Sequence, residues 1–452
     1  MKKFWKFFLL VWLTGSSLNV SGQWSVENSW YQSIKNSLNS INKSASLRID
    51  KDGNCYVLGT TWLPDSTKDI LLIKFASDGT EVWRRVYDNP SHGDDIPMNM
   101  NLDREGNIWV CGMAKPSINN GDFLLVKFNP DGIPVVDELY DGRDHLFDCA
   151  TTVVADKAGN IYAGGYETSL DSGINMMLVK YNSGGAMLWR RKYSTRQMDI
   201  ANEIIVDDSC NVYLTGTSNN GPHTSDILIQ KYDSTGRLKW QVIYDGKLSQ
   251  NDNGQFITMD DSSYIYVSGF LNHANNRADI PIIKLNRNGQ IISEILYNGR
   301  IADCGATAIN AGRKTLDLIG LCNDYNIQEV SSFLIRYNKG GKQLFSFKTP
   351  VDYSFLKTIE VGGNTLLACS KLTHPESTLT PCIAGFDSAG VTWDFADSTV
   401  YGLAHITDVA TDGNAVYFLG DDTGAATGTI SIFKYILAVP EDEVNTPSKR
   451  LK

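Results

Sequence analysis

Polar and apolar residues return along this chain in a fixed order, about every 50 residues, the mark of a repeat architecture. Each unit opens on a polar turn that runs into a short strand. The turn reads DKDGN at 50–54, DREGN at 103–107, DKAGN at 156–160, DDSCN at 207–211 and DDSSY at 260–264, with weaker copies at 310–314, 360–364 and 411–414. The strand that follows closes on glycine: Gly59, Gly112, Gly165, Gly216, Gly269, Gly320 and Gly420, with Cys369 in that place in the seventh unit. Next comes a β-branched, apolar run ending in a base and an aromatic residue, as in DILLIKF at 69–75 and DFLLVKF at 122–128. A turn such as SDG, PDG or STG then supplies the positive φ of a tight hairpin. A third strand carries a tryptophan in several units: Trp30, Trp83, Trp189, Trp240 and Trp393. A fourth alternates with period two, so that Met98, Met100 and Leu102 share one side and Asn99 and Asn101 the other.

Eight units of four short antiparallel strands predict an all-β fold, an eight-bladed β-propeller. The ends predict how the ring closes. Trp30 lies 20 residues before Asp50, just as Trp83 lies 20 before Asp103, so the chain opens on a tryptophan strand that belongs to no preceding unit. The last unit reaches Tyr435 without one. The N-terminal strand fits there as the outer strand of the last blade, so one end of the chain completes the sheet begun by the other. The propeller is expected over 23–435, followed by a disordered polar tail over 436–452. Residues 1–22 read as a secretory signal, with Lys2, Lys3 and Lys6 ahead of the apolar stretch 7–13 and small residues at 16–22.

Composition narrows the partners. The chain has 452 residues, a net charge of −10 and a pI near 5.2, with the charge spread out rather than gathered in a basic stripe. That argues against nucleic acid and against anionic membrane surfaces. The apolar part of the leader is too short to span a bilayer, and no other segment is long and apolar enough. The first cysteine is Cys55, so no lipid anchor is expected. The expectation is an exported protein, periplasmic, surface-bound or secreted, and a monomer.

The units resemble the bacterial β-propeller repeat family known as SBBP, on the strength of 106–112, 159–165 and 226–232, with the resemblance extending over about residues 24–435. It implies extracytoplasmic bacterial proteins, mostly without assigned activity and often with seven blades, so seven is the alternative count. The leader, ending in Gly-Gln, looks like those of Bacteroidetes. The stretch LAVPEDEV looks like a linker that precedes a sorting domain in that phylum.

An aspartate stands eight positions before the turn in most units: Asp95, Asp148, Asp199, Asp252, Asp352 and, with one residue of slippage, Asp303, while Asn42 takes the place in the first unit. If the strand it begins is the innermost, as in other propellers, these carboxylates encircle one mouth of the channel. They would bind a cation or a cationic ligand, or each would accept backbone N–H groups where a loop enters a strand. A residue repeated in nearly every blade favours the second reading. The recurring base (Lys74, Lys127, Lys180, Lys231, Lys284, Arg336, Lys434) reads as structural, over the next strand's tryptophan or paired with acids of the neighbouring unit. The DKDGN turn starts like a calcium loop, but its twelfth position is Thr61, so a hairpin turn is expected. No metal and no cofactor are expected.

Function is expected where the units differ. Two variable loop sets should share one face: those between the tryptophan strand and the next inner strand, and those between the glycine-ended strand and the lysine strand. His92, Arg143, His145, Arg196 and Arg300 fall in the first set, near the aspartates. Two cysteine pairs flank turns symmetrically, Cys304 with Cys322 and Cys369 with Cys382, and are candidate disulfides. The reading is an exported, non-catalytic scaffold that binds a protein or glycan through these loops. The alternative is a propeller-based glycan hydrolase or lyase using channel-mouth Asp and His residues.

Overall fold

The structure is a computed structural model and describes residues 25–34, 43–62, 67–117, 120–219, 225–246, 250–273, 278–297, 303–324, 329–349, 353–373, 378–397, 403, 405–422 and 429–438. These contain 32 strands in eight four-stranded antiparallel sheets, and no helix. Blade 1 comprises Lys43–Ile49, Cys55–Trp62, Lys68–Phe75 and Glu81–Tyr87, in that spatial order. Blades 2 to 7 repeat it. Blade 8 takes His405–Thr411, Ala415–Asp422 and Thr429–Ala438 from the end of the chain and Ser25–Ile34 from its beginning. The count is eight, not seven, and the N-terminal strand closes the ring as expected. The last strand runs to Ala438, three residues past the expected end at 435, and Leu437 is buried. The leader and the rest of the tail lie outside the described residues.

First strands of successive blades lie against one another around the axis, which makes them the inner strands. The second and third strands are buried on both faces, so they read as unbroken apolar runs rather than alternations. The cores lie between blades. At the closing seam, Trp30 and Ile34 pack with Leu47, Val57, Phe75 and Tyr417.

Two sequence signals gain a cause. Every inner strand carries a bulge at the same place, as between Pro97 and Asn99 or Ala201 and Glu203. The recurring glycine of the second strand sits opposite it. A Cβ on Gly216 would stand 1.9 Å from the carbonyl oxygen of Ile200, so only glycine lets the bulged strand come this close. The bulge also breaks the alternation expected over 98–102: Met98 is exposed while Met100 is buried.

The recurring base is placed by a row across the sheet. Tyr56, Lys74 and Trp83 are directly opposed on successive strands, and so are Tyr162, Lys180 and Trp189, Tyr213, Lys231 and Trp240, and Tyr417, Lys434 and Trp30. The ammonium lies over the ring of the second strand, at 4.8 Å for Lys180 and Tyr162, not over the tryptophan. The ammonium of Lys180 and the indole of Trp189 both donate to the Ser234 carbonyl of the next blade, each at 3.1 Å. Lys434 and Trp30 meet Ser77 of blade 1 in the same way, at 2.7 and 3.0 Å. The hairpin glycine lets the tryptophan lie flat on that turn; a Cβ on Gly79 would stand 2.6 Å from Trp30. In blade 6 the base does pair with an acid, but of its own blade rather than the neighbouring unit: Arg336 makes a two-pronged pair with Asp317 on the adjacent strand.

Cys304 and Cys322, opposed on the first two strands of blade 6, form a disulfide. The second expected bridge is absent. Cys369 and Cys382 are also directly opposed, but the Cys369 thiol turns onto the Cys382 carbonyl oxygen at 3.3 Å and both stay as buried thiols.

If the N-terminal strand seals the ring, Trp30→Ala removes the largest side chain of the seam together with one donor to Ser77. The expected loss is about 3–5 kcal/mol in thermal or urea unfolding, the range for a buried aromatic truncated to alanine. An unchanged melting temperature would rule out the seal.

Candidate functional site

The two variable loop sets do meet on one face. The backbone N–H of Lys68 donates to Asp94 at 3.1 Å, that of Leu170 to Asp144 at 2.9 Å and that of Ser225 to Asn251 at 3.1 Å, each tying the loop after a second strand to the crossover into the next blade.

The repeated aspartates do not open onto the channel. Asp95, Asp148, Asp199 and Asp252 are completely buried, each at the start of an inner strand and turned into the crossover it terminates. Asp148 accepts from Gly142 N at 2.5 Å and Thr168 N at 2.8 Å; Asp252 accepts from Gly246 N at 2.8 Å and Asn272 N at 3.1 Å. Asp95 holds Asn89 through its backbone and side-chain nitrogens at 2.8 and 2.5 Å, and Asp199 holds Thr195 N at 2.6 Å. The local, loop-closing role is the one observed. Burial pushes the carboxyl of Asp95 up to about 7, and those of Asp148 and Asp252 up to about 6, against the pull of these donors. Asp303 begins the inner strand of blade 6 opposite Asn323, while Asn42, Arg300 and Asp352 lie outside the described residues.

His92 and His145 occupy equivalent left-handed positions, both at φ 52°, in adjacent crossovers. Each ring nitrogen Nδ1 meets the aspartate four residues earlier, Asp88 at 2.7 Å and Asp141 at 2.5 Å, and each side chain is exposed. They are fixed separately within their own loops. The Asp141 contact raises the pKa of His145 above the usual range.

What the sequence did not single out is the cleft that Arg143 and Arg196 share. It lies between blades 2 and 3, has a volume of about 440 Å³, and is lined also by Tyr140, Glu167, Asp171 and Lys192. Glu167, largely buried, anchors it: it accepts from the Tyr140 hydroxyl at 2.6 Å and pairs with Lys192. The Arg190 guanidinium covers Tyr140 at 4.3 Å from the ring centre. One signal was present in the sequence. After the strand-ending glycine, Gly165 is followed by Tyr-Glu, where blades 1 and 4 have Thr-Thr and Thr-Ser. A second, mostly apolar cleft of about 200 Å³ lies between blades 4 and 5, bounded by Tyr244, Leu271, Leu296 and the pair His273–Asp279, 2.9 Å apart.

The inner wall is not symmetric either. The residue after each bulge differs: Asn99, Glu203, Lys357 and Asp408 take equivalent places. Asp408 is held by Arg48 at 3.2 Å and Lys357 at 3.6 Å. Glu203 is raised to about 7 by burial and accepts from Ile257 N at 2.7 Å.

No family model and no curated protein matches the chain in sequence. Solved structures are similar in fold. The WD40 domain of SCAP from fission yeast is 8% identical with a TM-score of 0.44, over 91% of this chain and 98% of that one. Drosophila plexin A, solved in complex with semaphorin 1b, is 10% identical with a TM-score of 0.43, over 92% and 88%. A polysaccharide lyase of family PL25, an ulvan lyase, is 10% identical with a TM-score of 0.46, over 75% and 93%. The class is the β-propeller, here with eight blades. Likenesses this distant say nothing about which ligand or reaction the chain serves.

The buried carboxyls set a pH profile. Asp122 and Asp148 have folded-state pKa values of about 6, above their unfolded value. The stability they add is present in acid and lost as pH rises through about 6. The turn aspartates Asp50, Asp156, Asp207 and Asp260 are lowered, each holding backbone N–H groups and an Asn or Tyr side chain, and their contribution is lost as pH falls below the usual carboxylate range. In buffer with a chelator, the melting temperature should peak on the acid side of neutrality and fall from pH 5.5 to 8. A profile that rises to pH 8 would contradict this assignment.

Proposed function

We propose that this chain is an exported, non-catalytic propeller that holds a glycan bearing acid groups in the cleft between blades 2 and 3. The observation that carries the reading is the convergence of Arg143, Lys192 and Arg196 in one cleft: the two arginines come from the same place in successive crossovers, and Lys192 stands between them where blades 1, 2, 4 and 5 have Val86, Leu139, Ile243 and Leu296. Guanidinium groups suit carboxylate or sulfate pairs, while Thr168 and Ser169 line the same cleft with hydroxyls. The leader-like residues 1–22 and the SBBP-type repeats support export from a bacterial cell, to the periplasm, the surface or the medium.

The lyase or hydrolase reading needs a base or an acid with access to the ligand. Tyr140, the one phenol of the cleft, donates to Glu167, and burial together with that bond pushes its pKa up to about 12. Glu167 is committed to Tyr140 and Lys192, the repeated aspartates are buried, and each histidine serves its own loop. These features favour binding without turnover.

A glycan array, followed by affinity electrophoresis on acidic and neutral polysaccharides, tests the proposal. The chain should be retarded by an acidic glycan, less so at high salt. Arg143→Ala with Arg196→Ala should weaken retention about tenfold or more, since charge-assisted hydrogen bonds contribute about 1.5–3 kcal/mol each. Lys157→Ala, on the opposite face, should have no effect. Retention unchanged by the double substitution would overturn the site, depolymerisation of the glycan would overturn the non-catalytic role, and capture of proteins alone from a native envelope would replace the glycan with a protein.

A further inference from the structure

The loop face repeats a second arrangement in some blades and abandons it in others. Three aspartates come together there: the one opening the third strand, the one just after the outer strand, and the repeated one that begins the next inner strand. In sequence they are Asp69, Asp88 and Asp95, then Asp122, Asp141 and Asp148, then Asp226, Asp245 and Asp252. In the first and third sets, one carboxylate oxygen from each residue lies within 4.8 Å of the other two.

The third set is the most demanding electrostatically. Asp252 is wholly buried and Asp226 is 7% exposed, while Asp245 faces solvent. The buried Oδ1 of Asp226 meets no donor. Three carboxylates gathered in a poorly hydrated place repel one another unless something positive sits between them.

Two neighbouring blades show what the fold itself requires. In blade 3 the same places hold Asn175, Ser194 and Asp199, and Asn175 donates to the Gly173 carbonyl at 3.0 Å. The crossover therefore forms without the extra acids. In blade 5 the counterpart of Asp226 is Asp279, and there the chain supplies a partner of its own, His273 Nε2 at 2.9 Å. Blade 4 keeps all three acids, and Asp226 receives no such partner.

We propose that Asp226, Asp245 and Asp252 bind a Ca²⁺ ion that ties the third strand of blade 4 to the crossover entering blade 5. The ligand set is oxygen only, which selects a hard cation over zinc or copper. Ca²⁺ accepts irregular sets of carboxylate oxygens, whereas Mg²⁺ demands a near-ideal octahedron and keeps much of its water. One oxygen from each of the three carboxylates lies within 4.8 Å of the other two, near enough to share one ion. Asp252 also borders the apolar cleft between blades 4 and 5, so the ion would set the loop that walls it. Asp69, Asp88 and Asp95 form the same donor set in blade 1.

Isothermal titration of the chelator-treated full chain with CaCl₂ tests this, alongside melting curves with and without Ca²⁺. Affinity in the range of extracellular calcium modules, a dissociation constant of about 10⁻⁴–10⁻³ M, is expected, together with a higher melting temperature in 5 mM Ca²⁺ than in 5 mM Mg²⁺. Asp226→Asn, which copies blade 3, should lower the stoichiometry by one ion per chain. Asp245→Asn, at an exposed position that folding does not depend on, should do the same if the first variant is poorly folded. No Ca²⁺ binding by the wild-type chain, or an unchanged stoichiometry in folded Asp245→Asn, would overturn the site. So would a chain that Asp226→Asn stabilises at neutral pH in chelator and that Ca²⁺ leaves unaffected, because a proton shared among the carboxyls would then explain the cluster.

Discussion

In blades 1 to 5 and 8 a lysine ammonium lies over an aromatic ring of the second strand, and in blades 2 to 5 and 8 the oxygen it donates to belongs to the next blade. A buried cation without a hydrogen-bond acceptor is costly. Lys127 finds Ser183, Lys180 finds Ser234, Lys284 finds Lys339, and Lys434 finds Ser77, each time a hairpin carbonyl of the following sheet. The tryptophan of the outer strand donates to the same carbonyl in three of the seams, with Ser234, Arg287 and Ser77 as acceptors. A single blade cannot satisfy this row on its own. Blade 8 satisfies it only through blade 1 and only with Trp30 of the N-terminal strand in place, so pairing the two ends of the chain follows from the same requirement as the seams after blades 2 to 5.

Where the row fails, the packing changes. In blade 6 Asp317 replaces the aromatic residue and Arg336 replaces lysine, so the charge is neutralised within the blade and the guanidinium is left stacked near Phe386 of blade 7. In blade 7 Gly385 stands where the base belongs, and the Trp393 indole folds over it, leaving no room for a Cβ. Phe345, Phe347, Phe355 and Phe386 fill this sector with ring-to-ring contacts. The region in which the repeat was weakest in sequence is the region in which apolar packing takes over from the polar staple.

That contrast explains what was legible in the sequence. Blade count, strand order and closure follow from residues that do the same job in blade after blade, and repetition makes such residues visible. Asp103 is an example: it accepts from the N–H groups of Glu105 and Asn107 and from the Trp109 indole, and its counterparts do likewise. The bulges were not legible, because the glycine that betrays them sits on the neighbouring strand. The depth of Asp95, Asp148, Asp199 and Asp252 was not legible either. An aspartate at a strand start reads the same whether it faces a channel or a loop, and only the crossover folded over it decides.

The clefts fall between these cases. Glu167 and Lys192 come from different strands of blade 3 and Arg143 from the crossover before it, so no local window contains the site. What marks Glu167 and Lys192 is that each breaks its own repeat. Thr-Thr in blade 1 becomes Tyr-Glu at 166–167, and the residue that is Val86 in blade 1 and Ile243 in blade 4 is Lys192 in blade 3. The acids of the loop face obey the same logic in reverse. Asn175 and Ser194 show that blade 3 folds without them, so their retention as Asp226 and Asp245 in blade 4 answers to something other than the fold. In a ring built from copies, the copy that has dropped a residue measures what the fold needs. The copy that keeps a costly one, buried and without a partner from the chain, marks where a partner from outside the chain belongs.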